Sequence, residues 1–191
     1  MKNFHLKSVA VAVLVFGFSF SASVYAEPLK IGVEPIIGYE HVQKILPTAH
    51  SKNRLIYGAR LTAGILLISA EAEYTHGTDT EDYPDQLLIT KDTDEMVKIG
   101  LRSGFNMGSL LSLIGRGGVQ AKRNFHEDVT NGVSSSIVSP ITYKPYAGAD
   151  FRANLSNKFS ATAGVVVVFN DINDMNQNEY QTTAGFEIRL P

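Results

Sequence analysis

From residue 29 onward, apolar and polar side chains alternate along eight segments, near 29–41, 54–65, 67–76, 95–106, 110–125, 141–154, 159–169 and 179–190. Successive side chains of a strand point to opposite faces, so this period-two pattern predicts eight β-strands, each with one apolar and one polar face. By parity the apolar face carries Val33, Ile37, Tyr39, Tyr57, Leu61, Tyr74, Val97, Ile99, Leu101, Phe105, Val119, Tyr143, Phe151, Val165, Phe186 and Ile188. The polar face carries Glu34, Glu40, Arg60, Glu71, Glu73, Lys98, Arg102, Arg116, Gln120, Lys122, Asp150, Arg152, Glu187 and Arg189. Four segments also share a motif in which a glycine precedes an arginine of the same parity: Gly58 with Arg60, Gly100 with Arg102, Gly148 with Arg152 and Gly185 with Arg189. Such alternation of small and large residues suits a narrow interior, where the glycines make room for guanidinium groups.

The links between segments alternate in length. Those near 42–53, 77–94, 126–140 and 170–178 are long and polar, whereas those near 66, 107–109 and 155–158 are short. Long loops at one end and tight turns at the other predict an all-β, eight-stranded antiparallel up-and-down transmembrane β-barrel with both termini at the tight-turn end. An eight-stranded barrel is only just wide enough for its own side chains. The polar set must then pair internally, six acids (Glu34, Glu40, Glu71, Glu73, Asp150, Glu187) against seven bases (Arg60, Lys98, Arg102, Arg116, Lys122, Arg152, Arg189). These thirteen residues form the expected barrel-interior charge network, and removing one member, as in Arg102→Ala, is expected to cost about 3–5 kcal/mol. Pro35 falls inside the first strand and cannot donate to a ladder, which predicts a bulge or a local edge. Ile36, Ile56, Val166 and Val168 share the inward parity and make part of the interior apolar.

The region before the first strand sets the compartment. Lys2 and Lys7, the apolar run Val9 to Phe20 and the small-residue site Val24-Tyr25-Ala26 form a secretory signal peptide over residues 1–26, leaving residues 27–191 as one outer-membrane barrel domain. The apolar run is short for a spanning helix. There is no cysteine, so no disulfide stapling and no lipid-modified cysteine. The formal charge of −2 and the lack of a basic block exclude nucleic acid as an expected partner. Tryptophan is absent, so tyrosine and phenylalanine must supply any interfacial girdle.

Together the signal segment, the alternating strands, the loop rhythm and the last strand, Tyr180 to Pro191, resemble small outer-membrane β-barrel proteins of the OmpA/OmpX type of Gram-negative bacteria. The likeness spans residues 27–191. It implies a bacterial outer-membrane location, outer-membrane lipid and lipopolysaccharide as surroundings, and the outer-membrane assembly machinery as a partner that reads the last strand. The family usually ends on phenylalanine or tryptophan, whereas this chain ends on Leu190-Pro191.

Catalytic and metal chemistry have little support in the sequence. Some barrels of this membrane are lipid-modifying enzymes that pair a histidine with a serine, but neither His76 nor His126 has a serine two residues on, and His41 and His50 lie at a strand end and in a loop. Asp79, Glu81, Asp82, Asp85, Asp92 and Asp94, and then Asp171, Asn173 and Asp174, are oxygen-rich, yet Asp171-Ile-Asn-Asp-Met-Asn lacks the glycine of a calcium-binding EF-hand loop. No catalytic residue, metal ligand or cofactor is expected. Arg123 has outward parity and is expected to snorkel toward lipid phosphates. The expected function is that of a structural or surface-interaction barrel with a salt-bridged interior and exposed loops that meet an extracellular partner. A narrow outer-membrane pore stays open, as does a soluble periplasmic barrel that binds a small apolar ligand at Ile36, Ile56, Val166 and Val168.

Overall fold

The computed structural model describes residues 29–44, 50–65, 68–130, 133–171 and 175–190. The signal segment, Asn173, Asp174 and Pro191 lie outside these residues. The described chain forms β1 (Lys30–Lys44), β2 (His50–Gly64), β3 (Ile68–Tyr83), β4 (Leu88–Met107), β5 (Leu111–Thr130), β6 (Val133–Val138), β7 (Thr142–Asn154), β8 (Phe159–Val168) and β9 (Glu179–Leu190). All neighbours pair antiparallel, and β1 pairs with both β2 and β9, so eight strands close a ring from which only β6 is left out. An eight-stranded antiparallel up-and-down barrel is therefore the architecture, as the alternation predicts.

The ladder register fixes the shape of this ring. Stepping from partner to partner, Ile31 leads through Ala63, Ala70, Leu101, Gly117, Ala147, Val167 and Tyr180 back to β1 at His41, ten residues beyond the start. With a rise of roughly 3.3 Å per residue and roughly 4.8 Å between strands, that stagger over eight strands tilts them about 40° and puts the backbone about 8 Å from the axis. Arginine and glutamate side chains from opposite walls meet across such a bore.

The exposed face is a belt of large apolar side chains, among them Ile37, Leu61, Ile99, Leu101, Phe151 and Val165, each more than half exposed. Phe105, Phe151, Phe159 and Phe186 gather toward the tight-turn end, with Phe159 and Phe186 stacked at 5.5 Å. Tyr39, Tyr57, Tyr143 and Tyr180 sit toward the other end, where Tyr57 meets His76 at 5.3 Å.

Two expectations need correction. Three of the links read as loops are largely strand: β1 and β2 stay paired out to Lys44 and His50, β3 and β4 out to Tyr83 and Leu88, and β5 runs to Thr130 beside β6. The turn between β3 and β4 is a short Pro84–Gln86 helix closed by Leu87 at φ 48. These extensions carry Thr78, Thr80, Thr90, Thr93 and Thr130, β-branched residues that favour strand, while apolar residues such as Ile89, Val133 and Ile137 are scattered and exposed, so no regular apolar alternation marks them. Second, of the two outcomes expected at Pro35 the local edge is found and the bulge is not: Pro35 pairs with Ala59, and the β1–β9 ladder keeps one register on both sides of a two-residue gap at Glu34 and Pro35. The missing proline N–H costs ladder bonds without adding a residue. Arg123 is exposed, as its outward parity predicts, and its guanidinium lies 4.9 Å from the Phe125 ring centre on its own strand.

Candidate functional site, the charged lumen

The inward positions fall into layers along the axis. The central layer draws Glu34 from β1, Arg60 from β2, Glu71 and Glu73 from β3, Lys98 and Arg102 from β4, Arg116 from β5 and Asp150 from β7, all at most 5% exposed. Arg60 Nε donates to Glu73 Oε2 at 2.8 Å, and its Nη1 reaches Glu34 at 3.1 Å and Asp150 at 3.4 Å. Arg116 donates to Glu71 Oε1 at 3.0 Å and to Glu73 Oε2 at 2.7 Å, and stands 3.6 Å from Asp150. Lys98 Nζ reaches Glu73 Oε1 at 2.5 Å, so one carboxylate meets three cations. Tyr146 donates to Glu71 at 2.5 Å, and the Arg116 guanidinium lies 5.6 Å from its ring centre. Such charge-assisted bonds are the stronger kind, and in a buried setting they offset the desolvation of both partners.

A second ionic layer sits toward the long-hairpin end. Arg54 bonds Glu40 at 2.7 Å through Nε and Asp94 through Nη2. Lys122 Nζ lies 3.0 Å from both Asp94 and Glu179 and 3.6 Å from Glu40, and Lys144 donates to Glu179 at 2.9 Å. Arg54, Asp94, Lys144 and Glu179 were not among the expected inward residues, although each shares the parity of one that was. The signal was present but lay at strand ends or in segments read as loops.

Between the two ionic layers lies a neutral one. Ile36, Ile56, Met96, Gln120, Gln181, Val166 and Val168 are each at most 5% exposed. The Gln181 amide nitrogen lies 2.8 Å from Glu40, 3.3 Å from Gln120 and 3.5 Å from the Met96 sulfur, bridging from this layer to the upper ionic one. At the tight-turn end, Arg152 donates to Glu187 at 2.9 Å, while Arg189 bonds Asn154 at 2.5 Å and the Ser160 hydroxyl.

The glycines of the repeat serve other neighbours than the arginine beside them. A Cβ at Gly58 would run into the Tyr74 backbone, one at Gly100 into the Gly117 carbonyl and the Tyr146 hydroxyl, and one at Gly185 into the Glu34 carboxylate. Of these four, Gly148 alone makes room for an arginine stem, that of Arg116 across the ladder.

The histidines face carboxylates, amides or rings. His41 Nδ1 lies 2.7 Å from Asn53 Oδ1, His50 Nε2 3.0 Å from Glu81 and His126 Nδ1 2.7 Å from Asp92. The hydrogen bond to Asp92, aided by Asp128 at 3.0 Å, holds the His126 imidazole above its ordinary range. Of the loop acids, Asp79 and Asp94 turn inward beside Arg54, and Glu81 lies 3.0 Å from Lys52. Among the described residues no group of three or more histidines and acids could hold a metal ion.

No protein-family model matches the chain, and no curated protein matches it by sequence. Solved structures do match in shape. Ail, the attachment invasion locus protein of Yersinia pestis, superposes with a TM-score of 0.59 at 13% identity, covering 84% of this chain and 98% of that one. Another structure of Ail holds the heparin analogue sucrose octasulfate. Neisserial surface protein A gives 0.62 at 10% identity, covering 86% and 100%. A major outer membrane protein from Thermus thermophilus gives 0.62 at 11%, again over 86% and 100%. Such low identities speak for the fold alone, and the chain has the fold of small outer-membrane β-barrels of the OmpA/OmpX type.

Proposed function

We propose that the protein is a non-catalytic structural or surface-interaction barrel of the bacterial outer membrane, its interior plugged by its own side chains and its long hairpins presented outside the cell. The carrying observation is the lumen itself: two ionic layers with a neutral layer between them, drawn from every strand of the ring. An ion passing through would have to displace bonded charges of both signs and then enter a layer of isoleucine, valine, methionine and amide groups, at a cost that favours closure. The same packing argues against an apolar ligand at Ile36, Ile56, Val166 and Val168, because all four are at most 5% exposed and Val166 and Val168 already pack with Tyr146. A soluble periplasmic barrel fits poorly with an outer face of exposed leucine, isoleucine, valine and phenylalanine, which in lipid finds its natural solvent.

Residues 1–26 act as the cleaved export signal, and β9 offers the alternating terminal strand on which the assembly machinery acts. Lipid and lipopolysaccharide surround the belt. An extracellular partner meets the long-hairpin end. That end carries Asp82, Asp85, Glu127 and Asp128 beside Lys52, Lys91 and Arg123, a mixed surface that gives no reason to carry the heparin-type ligand of Ail over to this chain. The test is gel mobility in SDS of cell-envelope fractions, with and without boiling. A band in the outer-membrane fraction that migrates differently after heating is expected; recovery in the soluble periplasm would overturn the reading.

A further inference from the structure

The tight-turn mouth of the lumen differs from the rest of the interior. It opens into a cavity of about 320 Å³ lined by Lys30, Arg102, Arg152 and Arg189, with Glu187 the one acid in the lining. At roughly 30 Å³ per water, this holds a small polyatomic ion together with part of its hydration shell. Arg102 is 3% exposed, yet neither of its Nη atoms meets an acceptor among the described residues, and its Nε lies 3.6 Å from Glu71, a carboxylate already engaged by Arg116 and Tyr146. Arg152 spends Nη2 on Glu187 and leaves Nε unpartnered. A buried guanidinium with two idle donors is costly, because desolvation is not repaid by hydrogen bonds. The planar fork that these donors form matches two oxygens of one oxyanion. Gly104, two residues along the same face, leaves the approach clear: a Cβ there would touch only Ile114, at 3.8 Å.

We propose that this mouth is a binding site for a small phosphate-type oxyanion, held in bidentate fashion by Arg102 with Arg152 and Lys30 closing the charge. The occupant comes from solution through the open end. The site rests on the lumen geometry and not on the reading of the barrel as a surface protein, so either can fail alone.

The test uses the full mature barrel, folded in a neutral sugar detergent free of phosphate, with inorganic phosphate as the probe. Phosphorus-31 linewidths are followed at constant ionic strength in chloride. Saturable broadening is expected with the native protein. Arg102→Gln removes the fork and should weaken apparent affinity about tenfold or more, the scale of a lost charged hydrogen bond. Gly104→Asp leaves every base in place but sets a carboxylate beside Arg102, and should abolish saturable broadening while the barrel still shifts on heating. The second variant decides the matter if the first does not fold. Broadening that does not saturate in the native protein overturns the site, and so does saturable broadening that survives in folded Gly104→Asp or an affinity unchanged in folded Arg102→Gln.

Discussion

Arg102 and Arg116 stand directly opposite each other in the β4–β5 ladder, two like charges that would repel if left so. Their side chains part. Arg116 turns to Glu71, Glu73 and Asp150, whereas Arg102 reaches only Glu71, at the longer distance of 3.6 Å. Removal of the two should therefore differ. Arg116→Met leaves buried carboxylates uncompensated and is expected to cost about 3–5 kcal/mol, while Arg102→Met also relieves a like-charge contact and should cost clearly less. Urea unfolding of the folded barrel in detergent measures both, and equal losses would contradict the assignment of Arg116 as the hub. At this scale parity assigns a side chain to a face, since alternation is a property of the backbone, but Arg54, Asp94, Lys144 and Glu179 went unread at strand ends and in segments taken as loops. Who meets whom was legible only in part: Arg60 and Lys98 each face Glu73 across a neighbouring strand, whereas contacts such as Arg60 with Asp150 cross the lumen between strands far apart in sequence.

The strands are unequal. An apolar band about 25 Å tall needs roughly ten residues of tilted strand. β8 has 10 residues, but β4 and β5 have 20 each, so their upper halves stand clear of the belt as a twisted ribbon joined by β6. His126 lies on this ribbon between Asp92 and Asp128, with Asn124 and Asp94 nearby. Its folded-state pKa is raised, so the stabilisation it gives is complete below the ordinary imidazole value of 6.5 and fades as pH climbs from there through the higher folded value. Backbone amides of the β4–β5 extension are expected to exchange more slowly at pH 6 than at pH 8, after correction for intrinsic rates, and His126→Gln should flatten that difference. Unchanged pH dependence in the variant would remove His126 from the account. The extensions were illegible as strands for a physical reason: where both faces meet water, no apolar residue need recur at every second position. The membrane-facing parts were legible because lipid on one side and a packed lumen on the other impose alternation residue by residue.

At the scale of the molecule, closure of the ring leaves, among the described residues, no free strand edge within the apolar belt beyond the two-residue gap at Glu34 and Pro35, the condition under which a sheet can sit in lipid at all. The stagger of ten residues and the count of eight strands narrow the bore until side chains from opposite walls bond, as Tyr146 does with Glu71 and Gln181 with Gln120. The fold class was legible in the sequence because strand number, loop rhythm and face polarity all pointed to one architecture. The stagger was not, since register depends on ladder pairing, which polarity constrains only to even or odd. The central claim, a lumen closed by its own charges, is tested most directly by planar-bilayer recording from purified, heat-modifiable protein across both polarities in high salt. The account predicts a flat baseline at all voltages below membrane breakdown. Unitary current steps that scale with salt concentration, seen with the folded barrel and lost on boiling, would contradict it and make the narrow pore the better reading.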